Sequence, residues 1–143
     1  MSDAPVRTIR TDWPGDRERL TAVRRAVFVE EQGVPVSIEL DDLDAVCRHV
    51  LALAGETPIG TGRITPTGKI GRLAVLPRWR GQGVGGALLQ ELLRVAAEAG
   101  LAEVYLHAQV NALGFYEGFG FRASGPRFEE AGIAHRKMTR SLG

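Results

Sequence analysis

Hydrophobic residues recur with two different periods along this chain. Residues 6–11 alternate in polarity and are rich in β-branched side chains, which is typical of a short strand. Apolar residues between 16 and 28 fall at helical spacing, with Asp16 as the predicted N-cap. The acidic segment 33–44 follows neither period. The first third of the chain therefore predicts a strand, a helix and a loop.

The middle of the chain predicts an antiparallel meander followed by a helix. Residues 49–54 and 59–65 form a predicted hairpin, and residues 69–76 add a strand. Residues 83–98 carry an apolar stripe opposite a charged one, which is typical of an amphipathic helix, and Gly100 ends it.

The last part of the chain predicts one inner strand, a short helix and a final strand pair. Residues 102–109 are almost continuously apolar, and residues 111–118 predict the helix. Residues 121–142 predict two strands around a break at Gly125-Pro126. The elements together predict an α+β fold, with a mixed, mostly antiparallel sheet of six to seven strands and flanking helices. We expect one domain over residues 1–143.

Composition and charge exclude several classes of protein. Eighteen basic and 17 acidic residues give a net charge of +1, which favours neither nucleic acid nor a membrane surface as partner. The single cysteine, Cys47, allows no internal disulfide and fits a reducing cytoplasm. No apolar run approaches the roughly 20 residues that span a bilayer. Residues 1–16 contain no apolar stretch typical of a secretion signal. We expect a cytoplasmic protein without a metal site.

Four glycines crowd the stretch 81–86, immediately after Arg78 and Arg80. A turn ahead of a helix explains some of them. A dinucleotide fingerprint needs a strand running directly into the first glycine, and a P-loop needs Gly-Lys-Ser/Thr, and neither context is present. A loop that opens a helix also points free N–H groups at an anion, which the helix dipole attracts. The pattern favours a phosphate-bearing cofactor held by the amides of residues 82–86.

Two motifs give the chain a family resemblance. The stretch Arg-Gly-Gln-Gly-Val-Gly at 80–85 resembles the central motif of the GNAT superfamily of acyl-CoA N-acetyltransferases. The stretch 107–121, HAQVNALGFYEGFGF, resembles the downstream Asn-x-x-x-x-Tyr and Gly-Phe signature. The order and spacing of elements agree over nearly all the chain. Segment 24–44 and Gly-Ile-Ala-His at 132–135 resemble a group of small stand-alone bacterial members.

The resemblance implies a GNAT fold and a cosubstrate. In that fold two central strands splay apart at a bulge in the fourth strand, and acetyl-CoA lies in the gap. The backbone of the fourth strand pairs with the pantetheine arm, and the glycine loop holds the diphosphate. The implied cofactor-binding residues are Leu73, Ala74, Val75, Arg80, Gly81, Gln82, Gly83, Val84, Gly85, Gly86, Asn111 and Tyr116. Small members of this family often form homodimers, so we expect that a dimer is possible.

Acetylation of an amine needs a proton acceptor, because a protonated amine has no lone pair. His135 occupies the position of the base in some similar enzymes, or it is an exposed histidine at a strand end. Glu31, at the end of the first helix where the substrate often enters, is the alternative base and a candidate substrate contact, or it is an ordinary surface carboxylate. The resemblance makes Tyr116 the acid that protonates the leaving thiolate, and the Val75 amide the donor to the oxyanion. Asn111 contacts the cofactor, caps the helix, or does both.

Charged residues near the predicted site leave alternatives open. Arg72 contacts the substrate or the cofactor, or pairs with the acidic loop, which would favour an anionic or amino-acid-like acceptor. The loop itself either attracts a cationic amine or is simply solvated, and we favour the solvated loop. Its acidic residues are Glu39, Asp41, Asp42 and Asp44. His49 and His107 sit beside apolar strand residues, and we expect structural roles for both.

These features predict an N-acetyltransferase that moves the acetyl group of acetyl-CoA directly to a primary amine of a small molecule. Nothing beside Cys47 in the sequence would activate it as a nucleophile, so we expect no acyl-enzyme. One alternative is an acetylase of protein or peptide amines. The other is a non-catalytic acyl-CoA sensor, but Tyr116 and a candidate base favour an enzyme.

Overall fold

Seven strands form one sheet in the order β1-β2-β3-β4-β5-β7-β6. Neighbours are antiparallel except β4 and β5, which are parallel. The computed structural model describes residues 5–143, and residues 1–4 of the predicted domain lie outside the described residues. The predicted α+β fold and sheet are confirmed. The strands are β1 Val6–Thr11, β2 Arg48–Ala54, β3 Thr57–Ile64, β4 Lys69–Val75, β5 Glu103–Gln109, β6 Arg122–Glu130 and β7 Ile133–Ser141.

Four α-helices lie around this sheet within the described residues. They are α1 Trp13–Arg24, α2 Val36–Glu39, α3 Val84–Glu98 and α4 Leu113–Glu117. A π-helical stretch, Arg25–Glu31, continues α1, so the predicted first helix runs past residue 28. Short 3-10 turns precede α3 and α4, at Pro77–Trp79 and Val110–Ala112.

Helices α1 and α3 cover opposite faces of the sheet. Alternate residues of a strand point to opposite faces, so Val50 of β2 packs in the α3 cluster and Leu51 packs against α1. Leu20 of α1 and Leu88 of α3 are fully buried in these two clusters. Burial on both faces explains why β2 is almost continuously apolar.

The structure corrects the predicted start of the first helix. The N-cap is Asp12 rather than Asp16, because the Asp12 carboxylate accepts a hydrogen bond of 2.7 Å from the Gly15 amide. Asp16 leaves the helical conformation and accepts hydrogen bonds from Thr11 and Arg19 instead.

Three further boundaries differ from the prediction. The predicted loop 33–44 contains the short helix α2. The last two strands turn at Ala131 and Gly132, both with positive φ, whereas Gly125-Pro126 lies inside β6 at a register shift. Asn111 lies in the 3-10 turn and does not cap α4, which begins at Leu113 without a side-chain cap.

Candidate active site

Strands β4 and β5 separate after a short contact. They pair only at Lys69 with Tyr105 and at Ile70 with Leu106. Beyond Ile70, β4 continues beside β3, where Arg72 and Leu73 together oppose Gly62 alone. This is a β-bulge, and it bends β4 away from β5. The predicted splayed central strands are therefore present.

Arg72 carries the backbone strain of this bulge. Its φ is +51°, a conformation that a side chain with a Cβ seldom adopts. The Thr61 hydroxyl donates a 3.0 Å hydrogen bond to the Arg72 carbonyl. The Arg72 side chain also donates to the Glu39 carboxylate at 2.9 Å. These hydrogen bonds, one to its carbonyl and one from its side chain, hold the residue in its strained conformation.

The glycine turn begins α3 at the open end of the gap. Gly81 and Gly83 have φ of +75° and +83°, so the turn itself requires glycine at these two positions. A Cβ at Gly86 would lie 2.9 Å from the Phe119 ring, so packing explains the third glycine. At Gly85 a Cβ would meet only ordinary contacts. The amides of the first turn of α3 have no intrahelical acceptor and are available to a ligand.

We call the cleft beside this turn the glycine groove, and it measures about 490 Å³. Ten of the 12 predicted cofactor-binding residues line it, and Gln82 and Asn111 do not. The Gln82 side chain instead donates to the Arg78 carbonyl at 3.2 Å. The lining residues are Val27, Gln32, Leu73, Ala74, Val75, Trp79, Arg80, Gly81, Gly83, Val84, Gly85, Gly86, Ala112, Phe115 and Tyr116.

A second cavity of about 410 Å³ lies on the other side of the β4 bulge, and we call it the histidine pocket. One wall is apolar and includes Phe28, Val34, Ile38 and Leu43. The lining also contains polar side chains, namely Lys69, Arg72, His107, Gln109, Glu130 and His135. The two cavities share four lining residues, namely Gln32, Leu73, Ala112 and Tyr116. The histidine pocket and the glycine groove therefore meet.

Tyr116 lies where the two cavities meet. Its ring makes edge-on contacts with Phe115 and Phe121. Burial raises the pKa of its phenol to about 12, because the charged phenolate is poorly solvated there. The hydroxyl is therefore protonated at neutral pH and can donate a proton.

His135 is a buried residue of β7 rather than an exposed strand-end histidine. Its Nδ1 lies 2.6 Å from the Ile133 carbonyl oxygen. A carbonyl only accepts, so Nδ1 carries the proton and Nε2 is left with the free lone pair in the neutral ring. The ring stacks on Phe128 and lines the histidine pocket. This arrangement suits a proton acceptor.

Glu31 lies outside the walls of both cavities. Both of its carboxylate oxygens accept from the Arg80 guanidinium, at 2.6 and 2.7 Å. The Arg80 hydrogen bonds lower the pKa of Glu31, which weakens it as a base. The same pair turns the Arg80 charge toward Glu31, while Arg80 Nε donates to the Val75 carbonyl at 2.9 Å.

Three acidic residues of the segment, Glu39, Asp41 and Asp44, are paired within the protein rather than solvated as we favoured, whereas Asp42 is exposed. Glu39 and Asp44 are buried, and both accept hydrogen bonds from buried Arg24, at 2.9 and 2.8 Å. Arg63 donates to Asp44 and to Asp41, and this hydrogen bonding lowers the pKa of Asp41 to about 2. We call this group the buried ion network after its buried members Arg24, Glu39, Asp44 and Arg63, and the more exposed Asp41 and Arg72 extend it toward the surface. Its carboxylates are paired within the protein, so they do not serve to attract a cationic amine.

Sequence reasoning missed several residues of the histidine pocket. Gln109 donates a 3.0 Å hydrogen bond to Gln32, which joins β5 to the end of the π-helical stretch. His107 was expected to be structural, but it lines the pocket and its Nδ1 lies 3.0 Å from Glu130. If the turn had been predicted at 131–132, the prediction would have placed Glu130 next to the last strand. His49, in contrast, is buried against Trp13 and bonds the Asp44 carbonyl, as a structural residue does.

Residues 5–143 contain no cluster of histidine, cysteine, aspartate or glutamate side chains that could hold a metal ion. None of their helices has both the length and the apolar character needed to cross a membrane. Cys47 is buried, which raises the pKa of its thiol and makes it a poor nucleophile.

The splayed strands, the glycine turn and Tyr116 together define an acetyltransferase of the GNAT class. Residues 27–142 match the sequence profile of the Acetyltransferase (GNAT) domain, and the chain belongs to this family. The uncharacterized N-acetyltransferase YjcF of Bacillus subtilis (strain 168) is 40% identical over 120 residues, which cover 81% of this chain and 86% of YjcF.

Solved structures agree with this assignment. ElaA of Escherichia coli (strain K12) is 34% identical over 131 residues, covering 86% of each chain. The crystal structure of Escherichia coli ElaA superposes with a TM-score of 0.85 over 94% of this chain and 99% of ElaA, at 29% identity in that alignment. An acyl-CoA N-acyltransferase from Pseudomonas aeruginosa superposes with a TM-score of 0.84 at 27% identity, over 96% of this chain and 100% of that chain.

Proposed function

We propose that this acetyltransferase moves the acetyl group of acetyl-CoA directly to the primary amine of a small molecule. The observation that carries the proposal is the meeting of two cavities at Tyr116, one beside the glycine turn and one lined by polar side chains that include His135. The glycine groove takes the cosubstrate and the histidine pocket takes the acceptor. The single thiol suits a cytoplasmic enzyme, and a homodimer remains a prediction.

The glycine groove fits a diphosphate and a pantetheine arm. No atom lies within 4 Å of a Cβ built at Gly81 or Gly83, so the turn is open to a ligand. The Leu76 amide donates to β3, at the Ile59 carbonyl, so the Val75 amide points the other way, into the gap. This direction supports Val75 as the donor to negative charge that develops on the thioester oxygen. When bound, acetyl-CoA supplies the acetyl group as a thioester.

The side chains of the histidine pocket then take two protons from the amine. His135 accepts the first at Nε2, which frees the nitrogen lone pair. Tyr116 donates its proton to the thiolate that departs as the C–S bond breaks, and its phenolate, whose raised pKa favours reprotonation, takes the second proton from the acylated nitrogen. Arg72 lines the acceptor side, but its Nε and one terminal nitrogen already donate to Glu39. We therefore assign Arg72 mainly to shaping the pocket, with substrate contact as a secondary role.

The test measures release of the CoA thiol over a panel of primary amines. We expect turnover with at least one amine, and a loss of about 10²-fold or more in kcat/KM for His135→Asn. Glu31→Gln is the matched variant of the other candidate base and should keep most of the activity. CoA binding without turnover on any amine would support an acyl-CoA sensor instead. Equal losses in the two variants would reject His135 as the specific base.

A peptide acceptor is the second candidate, because one edge of the histidine pocket is apolar and exposed. Ile38 and Leu43 line the pocket, yet they are 50% and 42% exposed. Val36, Leu40 and Val46 are exposed in the same segment. The amine panel should therefore include short peptides with apolar side chains, and a kcat/KM higher than for any free amine would favour this candidate.

A further inference from the structure

Glu130 is a carboxylate of the histidine pocket to which the mechanism above gives no role. It is the last residue of β6 and pairs with Ile133 of β7 across the 131–132 turn, and its carboxylate lies near the His135 ring. Its Oε1 lies 3.0 Å from His107 Nδ1 and its Oε2 lies 3.9 Å from His135 Nε2. One carboxylate therefore stands between two imidazoles.

Glu130 Oε2 and His135 Nε2 are two hydrogen-bond acceptors that lie near each other without a donor between them. The contact with His107 fixes Oε1, but 3.9 Å is too long for a hydrogen bond from Oε2 to His135 Nε2. Nε2 is itself an acceptor, because Nδ1 already donates to Ile133. Two acceptors at this separation can both receive N–H groups of one nitrogen about 2.9 Å from each. A protonated primary amine has three such N–H groups.

We propose that Glu130 and His135 together bind the ammonium group of the acceptor, so the enzyme selects amines that are cationic in solution. This inference rests on the proposed function and names the substrate class of the same site. Glu130 supplies the charge that attracts the ammonium. His135 then takes one proton at Nε2, and the freed electron pair of the amine nitrogen forms a bond to the acetyl carbon. The C–S bond of the thioester breaks, the thiolate takes a proton from Tyr116, and the nitrogen gives its second proton to the resulting phenolate, while the imidazolium stays beside the Glu130 carboxylate.

The other charged and titratable groups around Glu130 support a single carboxylate in this role. Lys69 of β4, His107 of β5 and His135 of β7 face it. Burial raises the pKa of Glu130, but the hydrogen bond from His107 and the nearby positive charges together outweigh burial and lower the pKa below its ordinary value. Glu130 is therefore ionised at neutral pH. If Glu130 were uncharged, the positive charge of Lys69 would repel a second cation from the pocket.

The experiment compares two isomeric amines, benzylamine and 4-methylaniline, which have similar size. At neutral pH benzylamine is a cation and 4-methylaniline is neutral. Calorimetric titration of each amine into the CoA-bound protein measures affinity without turnover. We expect the wild type to prefer benzylamine, and Glu130→Gln to weaken benzylamine binding about tenfold or more while changing 4-methylaniline binding less than about twofold.

Glu129→Gln is the matched control, because Glu129 is the neighbouring exposed glutamate and does not line the pocket. It should bind both amines as the wild type does. Equal wild-type affinity for the two amines, or equal loss in the two variants, would overturn the inference. Glu130-dependent binding of benzylamine without thiol release would instead reject the proposed function and leave the ammonium site standing.

Discussion

The glycine groove and the histidine pocket meet at Tyr116, but they are built from different parts of the chain and from different chemistry. The groove is lined mainly by one stretch, residues 73–86, and it offers backbone amides. The pocket collects side chains from β3, β4, β5, β6, β7 and the segment 28–43. Backbone recognition is set by the fold, whereas side-chain recognition can change by single substitutions. The comparison explains how one fold can keep its cosubstrate and vary its acceptor.

The ion pairs beside the two cavities also differ, because one pair is exposed to solvent and the other group is largely buried. The groove is flanked by the Glu31–Arg80 pair, whose side chains are 38% and 42% exposed. The pocket rests on the buried ion network, in which Arg24 is 1% exposed. Exposed pairs contribute little to stability, whereas removing one partner of a buried pair leaves an uncompensated charge. Four substitutions test these differences.

The largest effect is expected for Tyr116→Phe, at the junction of the two cavities. Loss of the acid should lower kcat by about 10²- to 10⁴-fold. The affinity for CoA, measured by calorimetry, should hardly change, because the ring remains. Since the raised pKa keeps the phenol protonated through pH 10, the residual activity should have the wild-type pH profile up to that pH.

Tyr105→Phe is the control for this variant. Tyr105, the only other tyrosine, lies on β5 with Lys137 over its ring and lines neither cavity. An equal fall in kcat for both variants would argue against a specific acid role for Tyr116.

The next largest effect is expected for Arg24→Met in the buried ion network. Glu39 and Asp44 each lose a partner, which should destabilise the protein by about 3–5 kcal/mol in urea unfolding. Arg25→Met removes the adjacent exposed arginine and should change stability by less than about 0.5 kcal/mol. A wild-type unfolding midpoint for Arg24→Met would mean that the network does not support the pocket wall.

A smaller effect, with opposite signs for stability and binding, is expected for Gly85→Ala. Alanine favours the helix by up to about 1 kcal/mol, and the new Cβ meets only ordinary contacts, 3.5 Å from Phe115. The methyl group would nevertheless stand over the α3 amides and weaken CoA binding about tenfold. Thermal unfolding and calorimetry measure the two quantities. Gly114→Ala, in α4 and outside the groove, should stabilise similarly without changing CoA affinity.

The smallest effect is expected for Glu31→Gln. The lost pair with Arg80 should reduce stability by at most about 1 kcal/mol at neutral pH. The pKa of Glu31 is lowered in the folded state, so its contribution is present above the unfolded pKa and is lost as the pH falls through the folded value. Urea unfolding at pH 7 and pH 3 checks this. A difference as large at pH 3 as at pH 7 would contradict it.

The elements with strong periodicity could be predicted from the sequence. The alternation of β1 and the apolar stripe of α3 located these elements to within a residue or so. The π-helical stretch was not predicted, because its side chains also satisfy an α-helical pattern. The last turn was misplaced because Gly-Pro is a stronger local turn signal than Ala131-Gly132, although tertiary pairing extends β6 through the proline.

The two halves of the candidate site were predictable to different degrees. The glycine turn is local in sequence, so its position could be read directly. Two of its glycines serve the turn and a third serves packing against Phe119, which spacing alone does not reveal. The acidic residues 39–44 looked solvated because their arginine partners lie up to 33 positions away. Pairings at such separations are set by the folded sheet and not by any local pattern.

The sheet is almost two sheets. Only two residue pairs between β4 and β5 join the four strands on one side to the three strands on the other. A ligand that lies along the open edge of β4 takes the place of the missing β4–β5 pairs, so its binding should reduce motion between the two parts of the sheet. Amide hydrogen exchange along both edges should consequently report occupancy of the gap, even for residues that the ligand never touches.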